Sequence, residues 1–267
     1  MDRYEITFTR LKREGRIAFI PFAVAGDPDL KTSAEVFRTF IRAGADILEI
    51  GYPFSDPIAD GPVNQRASQR AIAAGVNHRS FFALIRALRA ETDIPFGLLL
   101  YANTLLHFGV DRFCSCAAAA GIDSVLVADM PPEESAGFLG AMKKHGLRSV
   151  FIVSELTPAA RIRSICAHAG GFIYVVSRLG TTGVQKDFSS SVRETITKLR
   201  RATTLPLCVG FGISSPLHVA KVRDAGADGA IVGSRLVTII EQQRGNTPQM
   251  LRSLESAVRR MKAATVK

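Results

Sequence analysis

The chain of 267 residues is 47% hydrophobic and 22% charged, with 22 glycines and 12 prolines, a globular composition that excludes disorder, a collagen-like repeat and a disulfide scaffold. Lys and Arg outnumber Asp and Glu 34 to 24, a net charge of +10 that is compatible with nucleic acid, a membrane surface or anionic small substrates. Six basic residues against Glu255 alone lie in segment 244–267, without interleaved aromatics or a recognition motif, so this segment reads as a solvated helix face and not as a nucleic-acid reader. The opening MDRYEITFTR lacks the apolar core of a signal peptide, and runs such as IPFGLLLYA (94–102) fall far short of about 20 residues, so a soluble cytoplasmic protein is expected. Cys114, Cys116, Cys166 and Cys208 read as reduced, packed thiols, since Cys114-x-Cys116 has no second ligand pair at metal-binding spacing.

Short β-rich apolar runs alternate eight times with stretches of helical periodicity. The predicted strands are 16–24, 46–52, 95–101, 124–130, 149–155, 172–178, 206–212 and 229–234. The predicted helices are 30–43, 62–73, 78–90, 111–120, 133–145, 158–168, 189–201, 216–225 and 248–262. AGAD, AGID, AGG, AGADG and the HGLRS turn place a glycine at the end of a helix before the chain re-enters the sheet. Eight such units without a linker predict one α/β domain over residues 1–267, a closed (β/α)8 TIM barrel with additional helices. An open doubly wound sheet would usually carry G-x-G-x-x-G after its first strand; here AGDPDL follows instead.

In the second strand, DILEIGY, Glu49 shares a face with Ile47 and Gly51 and is directed away from solvent. A carboxylate there either finds an ion-pair partner or takes up a proton. The next loop, PFSDPIADGP (53–62), holds Asp56 and Asp60, both good turn formers. One of them can also face Glu49 across the barrel mouth, one carboxyl dry and the other wet. Glycines at 180–183, 210–212 and 233 follow the last three strands, either as plain turns or as backbone N–H groups exposed to a phosphate, with Ser234 near the cap of a following helix over 234–243. None of the nine lysines lies in a predicted strand and the five histidines are scattered. Schiff-base chemistry and a zinc site are therefore not expected, and acid–base work falls to carboxylates, with Tyr174 a possible helper.

The motifs PFAVAGDP (21–28), LEIGYPFSDPIADGP (48–62), LVADMPPEE (126–134), YVVSRLGTTG (174–183) and GFGIS (210–214) closely resemble the tryptophan synthase α subunit family, in the family's order and across most of the chain. The resemblance implies cleavage of indole-3-glycerol phosphate to indole and glyceraldehyde 3-phosphate without metal or cofactor in this chain. It assigns Glu49 as general acid/base, Asp60 as partner of the indole N–H and Tyr174 as neighbour of Glu49. Phe22, Leu100, Leu126 and Phe211 would wall the indole. Thr182, Gly183, Gly212, Gly233 and Ser234 would bind phosphate, and the loop from Arg178 to Gly183 would act as a lid. It also implies a pyridoxal-phosphate β subunit as partner in an αββα assembly, facing Pro53 to Asp56. Tyr52 and Glu155 depart from the family, which usually has a small aliphatic and a proline there. Two other readings are a non-catalytic barrel that binds or regulates a β subunit, and a sugar-phosphate isomerase.

Overall fold

The computed structural model describes residues 2–176 and 188–266. Among the described residues nine strands, all parallel to their neighbours, alternate with helices: β1 (Ala18–Val24), β2 (Leu48–Gly51), β3 (Phe96–Leu100), β4 (Ser124–Val127), β5 (Arg148–Ser149), β6 (Phe151–Ser154), β7 (Ile173–Val176), β8 (Leu207–Gly210) and β9 (Gly229–Val232). Their spatial order is β5-β4-β3-β2-β1-β9-β8-β7-β6. β5 pairs with β4 and β6 with β7. Only Val150 separates them, and its N–H donates to Val125 O at 3.0 Å. The two pieces are thus one barrel strand that hands its hydrogen bonds from one neighbour to the other. Eight strand positions result, as expected, and the ring closes.

The barrel is buried on both faces, so its strands are nearly continuous apolar runs. Alternate residues still divide cleanly: Ile20, Ile47, Leu126, Tyr174, Cys208 and Ile231 fill the interior, while Phe19, Leu48, Leu98, Leu100 and Val125 join the layer beneath the helices. Gly44, Gly121, Gly146, Gly171 and Gly226, one before each of five strand positions, all have positive φ, the left-handed conformation that glycine adopts without a side-chain clash.

Three features differ from the sequence reading. The stretch 133–145 is a single 3-10 turn, Pro132–Glu134, followed by the helix Ala136–Lys144. A short helix, Ala102–Phe108, follows β3. A first helix, Arg3–Arg13, begins with Asp2 and Glu5 capping each other's backbone N–H and buries Tyr4, Thr7 and Leu11. Tyr4 enters the interior cluster with Ile47 and Phe172 and hydrogen-bonds Ser124 Oγ at 2.7 Å. Beside it, Asp46 accepts the Phe19 N–H at 2.9 Å and pairs with Arg16 and with Lys262 of the helix Thr247–Ala263. No described helix is long and apolar enough to cross a membrane.

Candidate active site

Glu49 sits in the middle of β2, in register with Phe22 of β1 and Gly97 of β3. The pleat turns it into the barrel, where it is 4% exposed. Among the described residues no Lys or Arg pairs with it. Burial first, and the neighbouring Asp60 charge second, push its carboxyl up to about 8. An acid in such a place holds its proton at neutral pH and gives it up within ordinary reach.

Asp60 comes from the loop after β2. Its N–H donates to Pro57 O at 3.0 Å and that of Ile58 to Asp56 O at 2.8 Å, so both aspartates lie in tight turns, but only Asp60 reaches the cavity. Asp56 is exposed. Burial raises the Asp60 carboxyl, and hydrogen bonds from Tyr101 and Asn64 act against that rise. Tyr101 follows β3, donates to Asp60 Oδ2 at 2.9 Å and accepts the Ala59 N–H at 3.1 Å. Its ring stacks on Phe54 with centroids 5.1 Å apart. Tyr101 and Asn64 were not among the expected site residues; a tyrosine directly after an inward-facing strand was the one signal for the first.

Tyr174 is buried, and desolvation together with the charges of Glu49 and Asp60 drives its phenol well above the usual range. It therefore acts as a neutral hydroxyl. It needs Gly210 on the adjacent β8: a Cβ at 210 would lie 2.2 Å from the Tyr174 Oη.

Glu49, Asp60, Asn64 and Tyr174 share one cavity of about 300 Å3 at the carboxyl ends of the strands, where barrel enzymes carry their chemistry. Phe22, Leu99 and Ile231 form apolar wall, Glu49, Asp60 and Tyr174 the polar centre, and Phe211, Gly212, Gly233 and Ser234 the far side. Leu100 is a correction. It was expected against the ring of the ligand, but it shares the outward face with Leu98 in the layer beneath the helices, and Leu99 takes the wall position. In a strand buried on both sides, only the pleat phase distinguishes the two. Leu126, also expected against the ring, points into the barrel interior but does not line this cavity. Thr182, Gly183 and the loop from Arg178 to Gly183 lie outside the described residues.

After β8 the chain turns through two consecutive left-handed residues, Phe211 (φ 75°) and Gly212 (φ 73°). For a bulky residue this conformation costs about 1–3 kcal/mol and is typical of ligand clamps. The helix after β9, Ser234–Gln243, starts at Gly233, whose carbonyl accepts from Leu236 N (2.8 Å) and Val237 N (3.1 Å). Ser234 is thus the first helical residue and not the cap, and no side chain occupies the capping position. The first N–H groups of a helix have no partner within it and carry its positive end, so this end of the cavity suits an anion. The whole arrangement fits a planar apolar ligand with a donor for Asp60, a protonation site for Glu49 and a phosphate at Ser234.

The sequence family described as the tryptophan synthase alpha chain matches residues 8–266. The chain is 44% identical over 264 residues to the tryptophan synthase alpha chain of Methanoregula boonei, covering 99% of this chain and 98% of the relative. It is also 44% identical over 266 residues to that of Escherichia coli, covering 99% of each. Among solved structures, tryptophan synthase subunit alpha from Legionella pneumophila superposes with a TM-score of 0.91 at 32% identity, over 99% of this chain and 98% of that one. A chain of tryptophan synthase from M. tuberculosis superposes with a TM-score of 0.88 at 28% identity, over 99% and 100%. The chain belongs to the tryptophan synthase alpha chain family, the carbon–carbon lyases that cleave indole-3-glycerol phosphate to indole and glyceraldehyde 3-phosphate beside a β subunit.

Proposed function

We propose that Glu49 is the general acid/base of this cleavage and that Asp60 and Tyr174 complete the catalytic group. The protonated Glu49 carboxyl delivers its proton to C3 of the indole, and the resulting positive charge falls on the ring nitrogen. Asp60 accepts the N–H of that nitrogen and offsets a charge absent from the ground state, which is the effective use of an electrostatic group. The ionised Glu49 then takes the proton of the hydroxyl on the carbon attached to C3. The bond between that carbon and C3 breaks, its electron pair returns to the ring, and the hydroxyl carbon leaves as an aldehyde. Glu49 ends protonated, ready for the next turnover. Tyr174 donates as a neutral hydroxyl next to both acids.

Phe22, Leu99 and Phe211 hold the indole, and Gly212, Gly233 and Ser234, with Thr182 and Gly183, hold the phosphate. The 267 residues act as a single cytoplasmic barrel domain that carries no cofactor of its own. Pyridoxal phosphate belongs to the β subunit, met in an αββα heterotetramer through the loop of Pro53 to Asp56; Ile58, two residues beyond it, is 81% exposed, as a residue awaiting a partner surface would be. One observation carries the reading: a carboxyl buried without a cation among the described residues, its proton held up to about 8, facing a second carboxyl in one cavity. Steady-state cleavage of indole-3-glycerol phosphate tests it. Glu49→Gln and Asp60→Asn each lose at least about 100-fold in kcat, and near wild-type turnover by Glu49→Gln ends the proposal.

A further inference from the structure

The charge of +10 finds no use in the cavity of Glu49, whose described lining contains no Lys or Arg. Elsewhere, the helices Ser234–Gln243 and Thr247–Ala263 leave between them a groove of about 380 Å3, within the range of about 300–1,000 Å3 typical of small-molecule sites. Arg235, Arg252 and Arg260 line it with Gln249, Ser253 and Ser256, and no acid does. Residues 249, 252, 253, 256 and 260 recur at three- and four-residue steps, so they form one stripe of their helix.

The groove is uncompensated for a local reason. Its two helices carry only two acids, Glu241 and Glu255. Arg66 and Arg70 hold Glu241 at 2.7 and 2.8 Å from the other side, and Arg259 holds Glu255 at 2.8 Å. Lys262 is likewise taken by Asp46. Among the described residues no carboxylate pairs with Arg235, Arg252 or Arg260. In the same wall Gln243 Oε1 is buried without a hydrogen-bond partner.

We propose that this groove is a second anion site, separate from the substrate cavity, for a small molecule carrying two or more phosphate-type charges. A guanidinium fork matches phosphate oxygens two at a time. Three such forks without a counter-charge call for more than the roughly 1.5–2 charges of a single phosphate monoester. Ser253, Ser256 and Gln249 supply neutral donors beside them.

Inorganic pyrophosphate is the probe, titrated calorimetrically into the whole chain with glycerol 3-phosphate saturating the substrate cavity. One pyrophosphate site remains under these conditions and weakens as salt is raised. Arg252→Gln and Arg260→Gln, both at exposed positions, each weaken it about tenfold or more. Arg259→Gln, whose arginine serves Glu255, leaves it unchanged, and inorganic phosphate binds more weakly than pyrophosphate. Loss of all pyrophosphate binding in the presence of glycerol 3-phosphate, or equal affinity in the wild type and both groove variants, overturns the proposal.

Discussion

The Tyr101 hydroxyl donates to Asp60 Oδ2 at 2.9 Å while accepting the N–H of Ala59 at 3.1 Å, so one phenol holds both the side chain and the backbone of the acid loop. Tyr101→Phe removes both bonds and keeps the stacking on Phe54. With its donor gone, Asp60 titrates higher and is less firmly aimed. A hydrogen bond to a charged group is worth about 1.5–3 kcal/mol, so kcat/KM for indole-3-glycerol phosphate should fall about 10- to 100-fold, with the fold intact by circular dichroism.

The raised Glu49 carboxyl makes a prediction for stability. Its folded value is about 8 against an ordinary 4.5, so between these values the folded state binds more protons than the unfolded one. Stability contributed by the protonated form is complete below about pH 4.5 and is lost as pH rises through about 8. The difference is on the order of 3–5 kcal/mol. Glu49→Gln, permanently neutral, should be more stable than the wild type in urea at pH 8.5 and close to it at pH 4.5. An unchanged difference between the two proteins across that range contradicts the assignment.

The same group governs the rate profile. Because the acid form starts the reaction, kcat/KM should decline above about pH 8. The Asp60 charge is the second cause of the rise, so Asp60→Asn should lower the Glu49 titration point. Carbon-13 NMR of the glutamate carboxyls reads that shift directly, whatever activity remains.

Asp27, fully buried, is held by Arg70 through two bonds of 2.7 and 2.9 Å, and Arg70 also reaches Glu241 at 2.8 Å. Burial pushes the Asp27 carboxyl up and the Arg70 bonds oppose it. Removing one partner of a buried pair typically costs 3–5 kcal/mol because the other is stranded. Arg70→Met should lose roughly this much in urea unfolding, and Asp27→Asn added to it should restore part of the loss.

Tyr52 packs on Phe81 with centroids 4.7 Å apart and hydrogen-bonds His78 Nδ1 at 2.8 Å. Burial raises the phenol to about 12 and lowers the imidazole, so both are neutral near pH 7. Tyr52→Phe should cost about 1 kcal/mol, the worth of one neutral hydrogen bond, whereas Tyr52→Ala should cost about 3–5 kcal/mol by opening a cavity. Thermal unfolding separates the two.

Glu49 was legible from the chain because a lone acid inside an apolar run has few bland explanations. The glycines before the strands were legible because helix ends use them in a fixed way. Leu100 against Leu99 was not, since a strand apolar on both faces carries no phase. Tyr101 reaches Asp60 across 41 positions, a relationship that no local pattern encodes. The first helix escaped notice because its buried side is only a tyrosine, a threonine and a leucine among charged neighbours. The division of the fifth strand at Val150 is a matter of which neighbour accepts each backbone bond, and composition does not record it.

That first helix closes the end of the barrel opposite the active site, yet several of the residues it touches come more than a hundred positions later in the chain. Tyr4 meets Ser124 and Phe172, Arg3 meets Asp123 and Asp2 meets Arg148. During synthesis on a ribosome this segment emerges ahead of every one of these partners, and Tyr4 meets Ser124 only after some 120 residues have followed it and Phe172 later still. The floor of the barrel is therefore laid late by its earliest residues, and amino-terminal trimming should release the finished cylinder from below while sparing the register of its staves.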